Sequence, residues 1–336
     1  MKIVTLVENT EGHAGCGTEH GLCLYVETDK HKLLMDIGAS DLLLENAEKL
    51  GVDLTQVDTV VLSHGHYDHG GGILPFAGIN PRAQIWIQDT AFGEFYSMPE
   101  GREPHYIGLA PEIRDLEQVH LLAADGGIYR IDEELTLFSA IGTGRPLPPA
   151  NATLKEKKEQ GMVQEDFRHE QCLVIRQEEK TVLFCGCAHH GVLNILDRYE
   201  ELFGGAPDVV VSGFHMMKKN GAYTEEDIDF ITDTALELKK YPTVFYTGHC
   251  TGTIPYEAMR KLMDRQVRYL HTGDELIIDS GREEYKKYRK ENPAQERTTV
   301  RTGNIRRSSY MKAHRFFAWA TVFCFIITMV TGYRRK

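Results

Sequence analysis

The chain has 336 residues, 42% of them hydrophobic, which is enough for one large α/β domain or two ordinary ones. Its formal net charge of -11 is uneven: 14 Lys and Arg stand against 4 Asp and Glu after residue 280, and 24 against 45 before it. A body this acidic argues against nucleic acid as its natural partner.

Extended and helical segments follow one another through the first 280 residues. Apolar, β-rich runs predict strands over 2–7, 21–28, 31–38, 57–64, 83–88, 135–141, 171–177, 181–186, 207–215 and 243–249. Apolar residues at helical spacing predict helices over 39–51, 224–241 and 254–265. The early strands come in hairpin succession and the later ones alternate with helices, so we predict a mixed α/β body with two sheets. Residues 142–170 show no clear pattern and are predicted to form a long loop or an active-site cover.

The cysteines favour a reducing environment. The chain has seven of them and no CxxC pair, and its first ten residues have no apolar core of signal-peptide length. We therefore expect a cytoplasmic body without disulfides.

The composition changes after residue 280. Residues 281–315 are basic and poor in core residues, which predicts a linker, and 316–333 are 18 residues without a charge. We predict that this apolar tail is a single transmembrane helix that anchors the body to the inner face of the cytoplasmic membrane. The alternatives are an apolar helix that packs on the body or on a second copy, or a short appended tail.

The stretch "HGHYDHGGG" (64–72) holds several potential metal ligands close together in the sequence. It follows a predicted buried strand and places three imidazoles and a carboxylate within six residues, on a glycine-rich turn. Neutral imidazole and carboxylate are good ligands for zinc, iron and manganese. The alternation puts His64 and His66 on one side, where both can reach one ion, while Asp68 and His69 face a second position.

This motif and the strand before it resemble the metallo-β-lactamase superfamily, over about residues 1–280. The resemblance implies an αββα four-layer sandwich with one or two metals at one edge of its two sheets. It also implies further ligands from later in the chain: His169 and His249 match two of the superfamily's histidines, and Asp36 matches its supporting aspartate.

The stretch "FCGCAHHG" (184–191) departs from the superfamily pattern. Cys187 stands where many members have an aspartate, and a thiolate there would favour zinc. Either one metal is held tightly, or Cys187 or His189 completes a second site. His189 is otherwise a substrate contact or a hydrogen-bonded turn residue.

Stretches such as "GCAHHGVLNIL" and "GHCTG" resemble one subgroup, that of the 7,8-dihydropterin-6-methyl-4-(β-D-ribofuranosyl)aminobenzene-5′-phosphate synthases. The superfamily's usual activity is hydrolysis, whereas the subgroup's name describes carbon–nitrogen bond formation. Three functions stay open: a hydrolase of an ester or phosphoester, a synthase-like transferase, and a membrane-tethered metal or redox sensor without turnover.

The predicted substrate is a small molecule that can carry a phosphate. Asp68 would orient a water molecule or accept its proton, and His189 and His215 are further catalytic candidates. Glu19 and His20 lie in an N-terminal loop that borders the site in this family.

Overall fold

The computed structural model describes residues 1–13, 15–123, 127–218 and 221–278. Their strands are β1 (Lys2–Val7), β2 (Cys23–Glu27), β3 (Lys32–Met35), β4 (Thr59–Val61), β5 (Gln84–Gln88), β6 (Phe95–Ser97), β7 (His105–Tyr106), β8 (Val119–Leu122), β9 (Ile128–Arg130), β10 (Leu135–Phe138), β11 (Leu154–Lys158), β12 (Gly161–Gln164), β13 (Cys172–Gln177), β14 (Lys180–Phe184), β15 (Val209–Val211), β16 (Val244–Thr247), β17 (Val267–Tyr269) and β18 (Glu275–Ile277). Their α-helices are α1 (Leu42–Lys49), α2 (Tyr67–Gly70), α3 (Ile73–Ile79), α4 (Val192–Phe203), α5 (Glu225–Leu238) and α6 (Thr253–Met263).

The strands form two mixed sheets of seven strands each. The first has the order β18-β1-β2-β3-β4-β5-β8 and the second the order β17-β16-β15-β14-β13-β10-β9. In the first sheet β3, β4, β5 and β8 run parallel. In the second, β14, β15, β16 and β17 do. The remaining neighbours in both sheets are antiparallel hairpins or edge pairs, so the predicted mixed α/β body with two sheets is confirmed.

Three large apolar clusters form the layers of the core, and a fourth, small cluster lies around Phe95. One cluster joins the facing surfaces of the two sheets, and its members include Leu24 of β2 and Leu173 of β13. A second packs α1 and α3 on the outer face of the first sheet, and a third packs α4, α5 and α6 on the second sheet. Successive strand residues alternate between layers, as Cys23 and Leu24 do. Helices therefore cover both sheets, in the αββα arrangement.

Several elements were not predicted. The helix α4 was not predicted, although its sequence is amphipathic; it begins directly after the cysteine- and histidine-rich stretch 184–191. The segment 142–170 is more ordered than the predicted loop, because β11 and β12 form a hairpin that pairs with β6 and β7 in a third sheet of four strands.

Among the described residues, no helix is both long enough and apolar enough to cross a membrane. The predicted linker 281–315 and the predicted transmembrane tail 316–333 lie outside those residues, so both stay predictions. The six described cysteines are all free thiols, as expected for a reducing environment.

Candidate metal centre

The carboxyl ends of parallel strands from both sheets bring the predicted ligands to one edge of the sandwich. Residues 64–69 follow β4 and are called here the first ligand turn, and residues 185–190 follow β14 and are called the second ligand turn. His249 follows β16 in the same way. The predicted ligands are all buried, as is the catalytic candidate His189, and none is more than 8% exposed: His64, His66, Asp68, His69, His169, Cys187 and His249.

The two ligand turns meet at Gly186. A Cβ atom at this position would lie 2.1 Å from the Ser63 hydroxyl and 3.0 Å from Nδ1 of His64, so only glycine permits this approach. Ala188 has a φ of 54°, a conformation that residues with a side chain rarely adopt. Backbone strain of this kind is concentrated at functional sites.

Asp36 determines where two histidines of the first ligand turn carry their protons. Its carboxylate accepts the Ser63 hydroxyl at 2.8 Å and lies 2.7 Å from Nδ1 of His69. Because the Ser63 proton points at Asp36, the Ser63 oxygen accepts a hydrogen bond from Nδ1 of His64, 2.8 Å away. These two acceptors place a ring proton on Nδ1 of His64 and of His69 and turn Nε2 of each ring towards the site.

A second group of donors surrounds that Nε2 atom of His69. It lies 3.1 Å from Sγ of Cys187 and 3.1 Å from Nε2 of His249. His249 is fixed by Asn9, whose Oδ1 is 2.8 Å from its Nδ1, and its Nε2 is 3.3 Å from Oδ2 of Asp68. Burial opposes a charge on His249, but the bond to Asp68 outweighs it and raises the pKa to about 9. Without a metal, His249 is therefore a cation paired with Asp68.

Glu165, which the sequence analysis missed, ties two other histidines together. Its Oε1 lies 2.8 Å from Nε2 of His66 and 2.8 Å from Nε2 of His169. Burial opposes ionisation of Glu165, yet the two imidazoles lower its pKa to about 2, so it is a carboxylate. Nδ1 of His169 accepts the backbone N–H of Gly65 at 2.9 Å.

His189 lies beside the first ligand turn. Its Nε2 is 3.3 Å from Nε2 of His64, and its Nδ1 is 3.0 Å from Oδ1 of Asn151. Burial, together with the neighbouring imidazoles, lowers the pKa of both His64 and His189 well below the ordinary value, so both rings are neutral.

Glu170 supports the second ligand turn from behind. Its carboxylate accepts the backbone N–H groups of His189 at 2.6 Å and of His190 at 3.0 Å, and it also lies 2.7 Å from Nδ1 of His190. His190 is thereby held away from the metal-facing atoms. Cys185 is fully buried in the helix-side core of the second sheet.

Of the remaining site residues predicted from the sequence, His20 and His215 lie beside the centre and Glu19 binds the backbone of a neighbouring loop. Nε2 of His20 is 3.4 Å from Asp68, whereas Glu19 accepts the backbone N–H of Ala39 at 2.9 Å and holds the loop after β3. The ring of His215 lies 4.2 Å from that of His189, and neither ring nitrogen of His215 has a hydrogen-bond partner.

A cavity of about 870 Å³ opens over these side chains. Its floor includes His66, Asp68, Cys187, His189 and His215. Its walls carry basic and acidic groups together, among them Arg102, His105, Lys218, Glu100 and Glu103. The cavity is large enough for a small molecule. Residues 149–154, from the region 142–170 that was predicted to be a long loop or an active-site cover, line one side of it.

The donor set fits a divalent transition metal. It combines imidazole nitrogens, a carboxylate and a thiol, which are the ligands of zinc and its neighbours in the first transition row. The strongest sign is the pair of neutral rings, His64 and His189, whose two bare nitrogens face each other at 3.3 Å with no proton to share. Two lone pairs at this distance repel each other unless a cation lies between them.

Comparisons with known proteins agree with this geometry. The sequence model of the "Metallo-beta-lactamase superfamily" matches residues 16–224. A 7,8-dihydropterin-6-methyl-4-(beta-D-ribofuranosyl)-aminobenzene-5'-phosphate synthase of Methanocaldococcus jannaschii is 24% identical over 290 residues, covering 81% of this chain and 95% of that protein.

Two solved structures share the fold. A metal-dependent hydrolase of the beta-lactamase superfamily, Tm1679, has a TM-score of 0.68 at 27% identity and covers 83% of this chain and 100% of its own. The Zn²⁺-bound PqqB of Methylobacterium extorquens has a TM-score of 0.51 at 14% identity, with coverages of 83% and 100%.

Proposed function

The chain belongs to the metallo-β-lactamase superfamily, and we propose that it is a metal-dependent hydrolase acting on an ester or phosphoester bond of a small molecule. One observation supports this most directly: imidazole nitrogens with fixed protons converge on the floor of a cavity that admits a small molecule.

The motif histidines, with Asp68, Cys187 and His249, would hold one or two divalent transition metals, for which we propose zinc. Iron or manganese would also suit the nitrogen and oxygen donors, and His169 is a further candidate ligand. When bound, such a metal lowers the pKa of water to near neutrality and polarises an oxygen of the substrate.

Asp68 and His215 are the proposed proton-handling residues. Burial opposes ionisation of Asp68, but the imidazoles of His69 and His249 hold its pKa well below the ordinary value. A carboxylate with so low a pKa is a weak base, so we assign Asp68 to orienting the attacking water. His215 faces the cavity with ring nitrogens that lack a partner, which suits a residue that donates a proton to the leaving group.

The cavity walls are compatible with a phosphorylated substrate. Arg102, His105 and Lys218 line them, although Lys218 also pairs with Asp227 at 3.0 Å. Guanidinium and ammonium groups are the usual partners of phosphate oxygens.

A synthase-like transferase is the second candidate, and the similarity to the archaeal synthase over 95% of its length favours it. In that case a nitrogen nucleophile would occupy the cavity in place of the attacking water, form a bond to a carbon of the second substrate and displace a leaving group from that carbon. A hydrolase turns over one organic substrate with water, whereas a transferase needs two organic substrates together, so the two functions predict different kinetics.

Turnover of a panel of phosphoesters, carboxylic esters and lactones tests the proposal, before and after treatment with a chelator. Hydrolysis that disappears with the metal and returns with zinc supports the hydrolase. Activity only when a phosphorylated aryl riboside and a dihydropterin are both present would favour the transferase. Metal binding without turnover of either kind would leave the sensor as the remaining function.

We also propose that residues 316–333 anchor the body to the inner face of the cytoplasmic membrane. The uncharged run between Arg315 and Arg334 supports this, since its length is within the range of spanning helices. The full chain should sediment with membranes and resist carbonate extraction, and a chain ending at Ser280 should not. A full chain that stays in solution without detergent would contradict the anchor.

A further inference from the structure

We infer that His189, and not His169, completes the set of imidazoles that holds a metal with His64 and His66. In this arrangement Glu165 fixes the rings of His66 and His169 from outside the site. The inference rests on the proposed metal centre and assigns its ligands.

His189 has a bare nitrogen that points into the centre. The amide nitrogen of Asn151 donates to the backbone carbonyl of His189 at 2.7 Å, which fixes the orientation of the amide. Its oxygen therefore faces Nδ1 of His189, 3.0 Å away, and accepts the ring proton. The Nε2 atom is left without a proton and lies 3.3 Å from the equally bare Nε2 of His64.

His66 supplies the third nitrogen. Its Nε2 donates to the Glu165 carboxylate at 2.8 Å, so in the neutral ring that a metal requires, Nδ1 has the free lone pair. The rings of His64, His66 and His189 lie 4.6 to 4.9 Å apart in pairs, with interplanar angles of 73° to 82°. One ligand atom of each lies within 4.8 Å of those of the other two, as three ligands of one ion require.

His66, Glu165 and His169 also lie close enough together to hold an ion, but both ring nitrogens of His169 are already engaged in hydrogen bonds. A backbone N–H can only donate, so the Gly65 contact at 2.9 Å means that Nδ1 of His169 carries no proton. The proton is then on Nε2, where Glu165 accepts it at 2.8 Å. The ring also stacks on that of His64 at 6.1 Å and 20°, rather than presenting its edge to the same point.

Glu165 thus replaces the metal as the partner of His169. One carboxylate oxygen takes both N–H groups, and a carboxylate hydrogen-bonded to a ligand histidine orients the ring and raises its basicity. His169, which precedes β13, is therefore a positioning residue, and the third metal ligand is His189 of the second ligand turn.

Metal binding by variants of the full chain tests the assignment. His189→Ala and His189→Asn should weaken Co²⁺ binding more than 100-fold or lose one ion per chain, and should change the visible absorption of bound Co²⁺. His169→Ala and His169→Asn, the matched controls, should keep the wild-type stoichiometry and lose no more than about 100-fold in affinity. The opposite pattern would overturn the inference and restore His169 as the ligand.

A measurement on the unmutated chain keeps the test independent of folding defects. Long-range ¹H–¹⁵N correlation spectra report which nitrogen of each histidine carries a proton. On addition of Zn²⁺, Nε2 of His189 should shift while His169 keeps its proton on Nε2, and loss of that proton would overturn the inference. A wild-type chain that binds no metal at all would instead overturn the proposed function.

Discussion

The two ligand turns carry similar residues but use them differently. In the first ligand turn, every residue of a metal-binding type, namely the three histidines and Asp68, belongs to the buried centre. In the second, Cys187 and His189 face the centre, whereas Cys185 packs in the core and His190 bonds to Glu170. The spacing of residues in the first turn is enough to identify its ligands. In the second turn, the residue that each side chain contacts decides whether that side chain faces the centre.

The largest expected effect lies in the first ligand turn. His66→Ala removes a ring that connects the centre to Glu165, and we expect turnover to fall more than 100-fold with loss of at least one metal per chain. This exceeds the roughly 10–100-fold cost of losing a supporting residue. Metal content and turnover should be measured together, with His120→Ala on the edge strand β8 as the control.

Unchanged stoichiometry and unchanged turnover in His66→Ala would contradict the role of the first ligand turn. Loss of turnover with full metal content would instead make His66 a substrate contact.

The second prediction separates the two cysteines of the second ligand turn. Sγ of Cys187 is 3.1 Å from Nε2 of His69, whereas Cys185 lies in the apolar core. Cys187→Ser should weaken binding of one metal by roughly 10–100-fold, because a hydroxyl is a poorer ligand than a thiolate. Cys187→Asp should retain two metals, and Cys185→Ala should leave metal binding unchanged. If the serine and aspartate variants both match wild type, Cys187 serves only in packing.

A smaller effect is expected from the residue that shapes the second ligand turn. Glu170→Gln leaves one acceptor oxygen for three donors: the N–H groups of His189 and His190, and the ring of His190. Metal affinity should fall about tenfold and the free energy of unfolding by about 1–3 kcal/mol. Co²⁺ titration and urea unfolding measure the two quantities. A loss of stability with unchanged affinity would mean that Glu170 supports the fold without positioning the turn.

Much of the fold could be predicted because local patterns and the native structure agree. The strands β1, β5 and β13 lie within one residue of their predicted bounds, since most of their residues are apolar and buried. The short strands β7, β9 and β12 were missed because most of their residues are exposed, and pairing rather than burial defines them.

The site could be predicted less completely, for a physical reason. The motif 64–69 places donors on one turn, so spacing alone suggests a metal. The partners Glu165, Asn151 and Asn9 come from distant segments, and no local spacing links an asparagine at position 151 to a histidine at 189. Which ring nitrogen carries a proton depends on these long-range contacts. The different roles of His169 and His189 could therefore be inferred only from the folded structure.

His31 lies at the end of the sheets opposite the ligand turns, and its environment differs from that of the histidines in the centre. Nδ1 of His31 lies 2.9 Å from Asp58, and its Nε2 contacts Asp132, so both nitrogens face carboxylates. Partial burial lowers the pKa of His31, but the two hydrogen bonds outweigh it and the net shift is upward. This ring should be a cation that joins the β2–β3 turn to the β9–β10 turn, in contrast to the neutral rings of His64 and His189.

The smallest predicted effect follows from that charge. Because the pKa is raised on folding, the stabilisation is complete below the unfolded value of about 6.5 and is lost as pH rises through the folded pKa. It should be on the order of 1 kcal/mol, since the Asp58 side chain is 45% exposed and solvent screens the pair. The free energy of unfolding of the wild type minus that of His31→Gln, both with saturating metal, should therefore shrink between pH 6 and 8. Metal affinity should not differ between the two, because His31 is remote from both ligand turns. A difference that stays constant over this range would show that His31 is neutral there and contributes through packing alone.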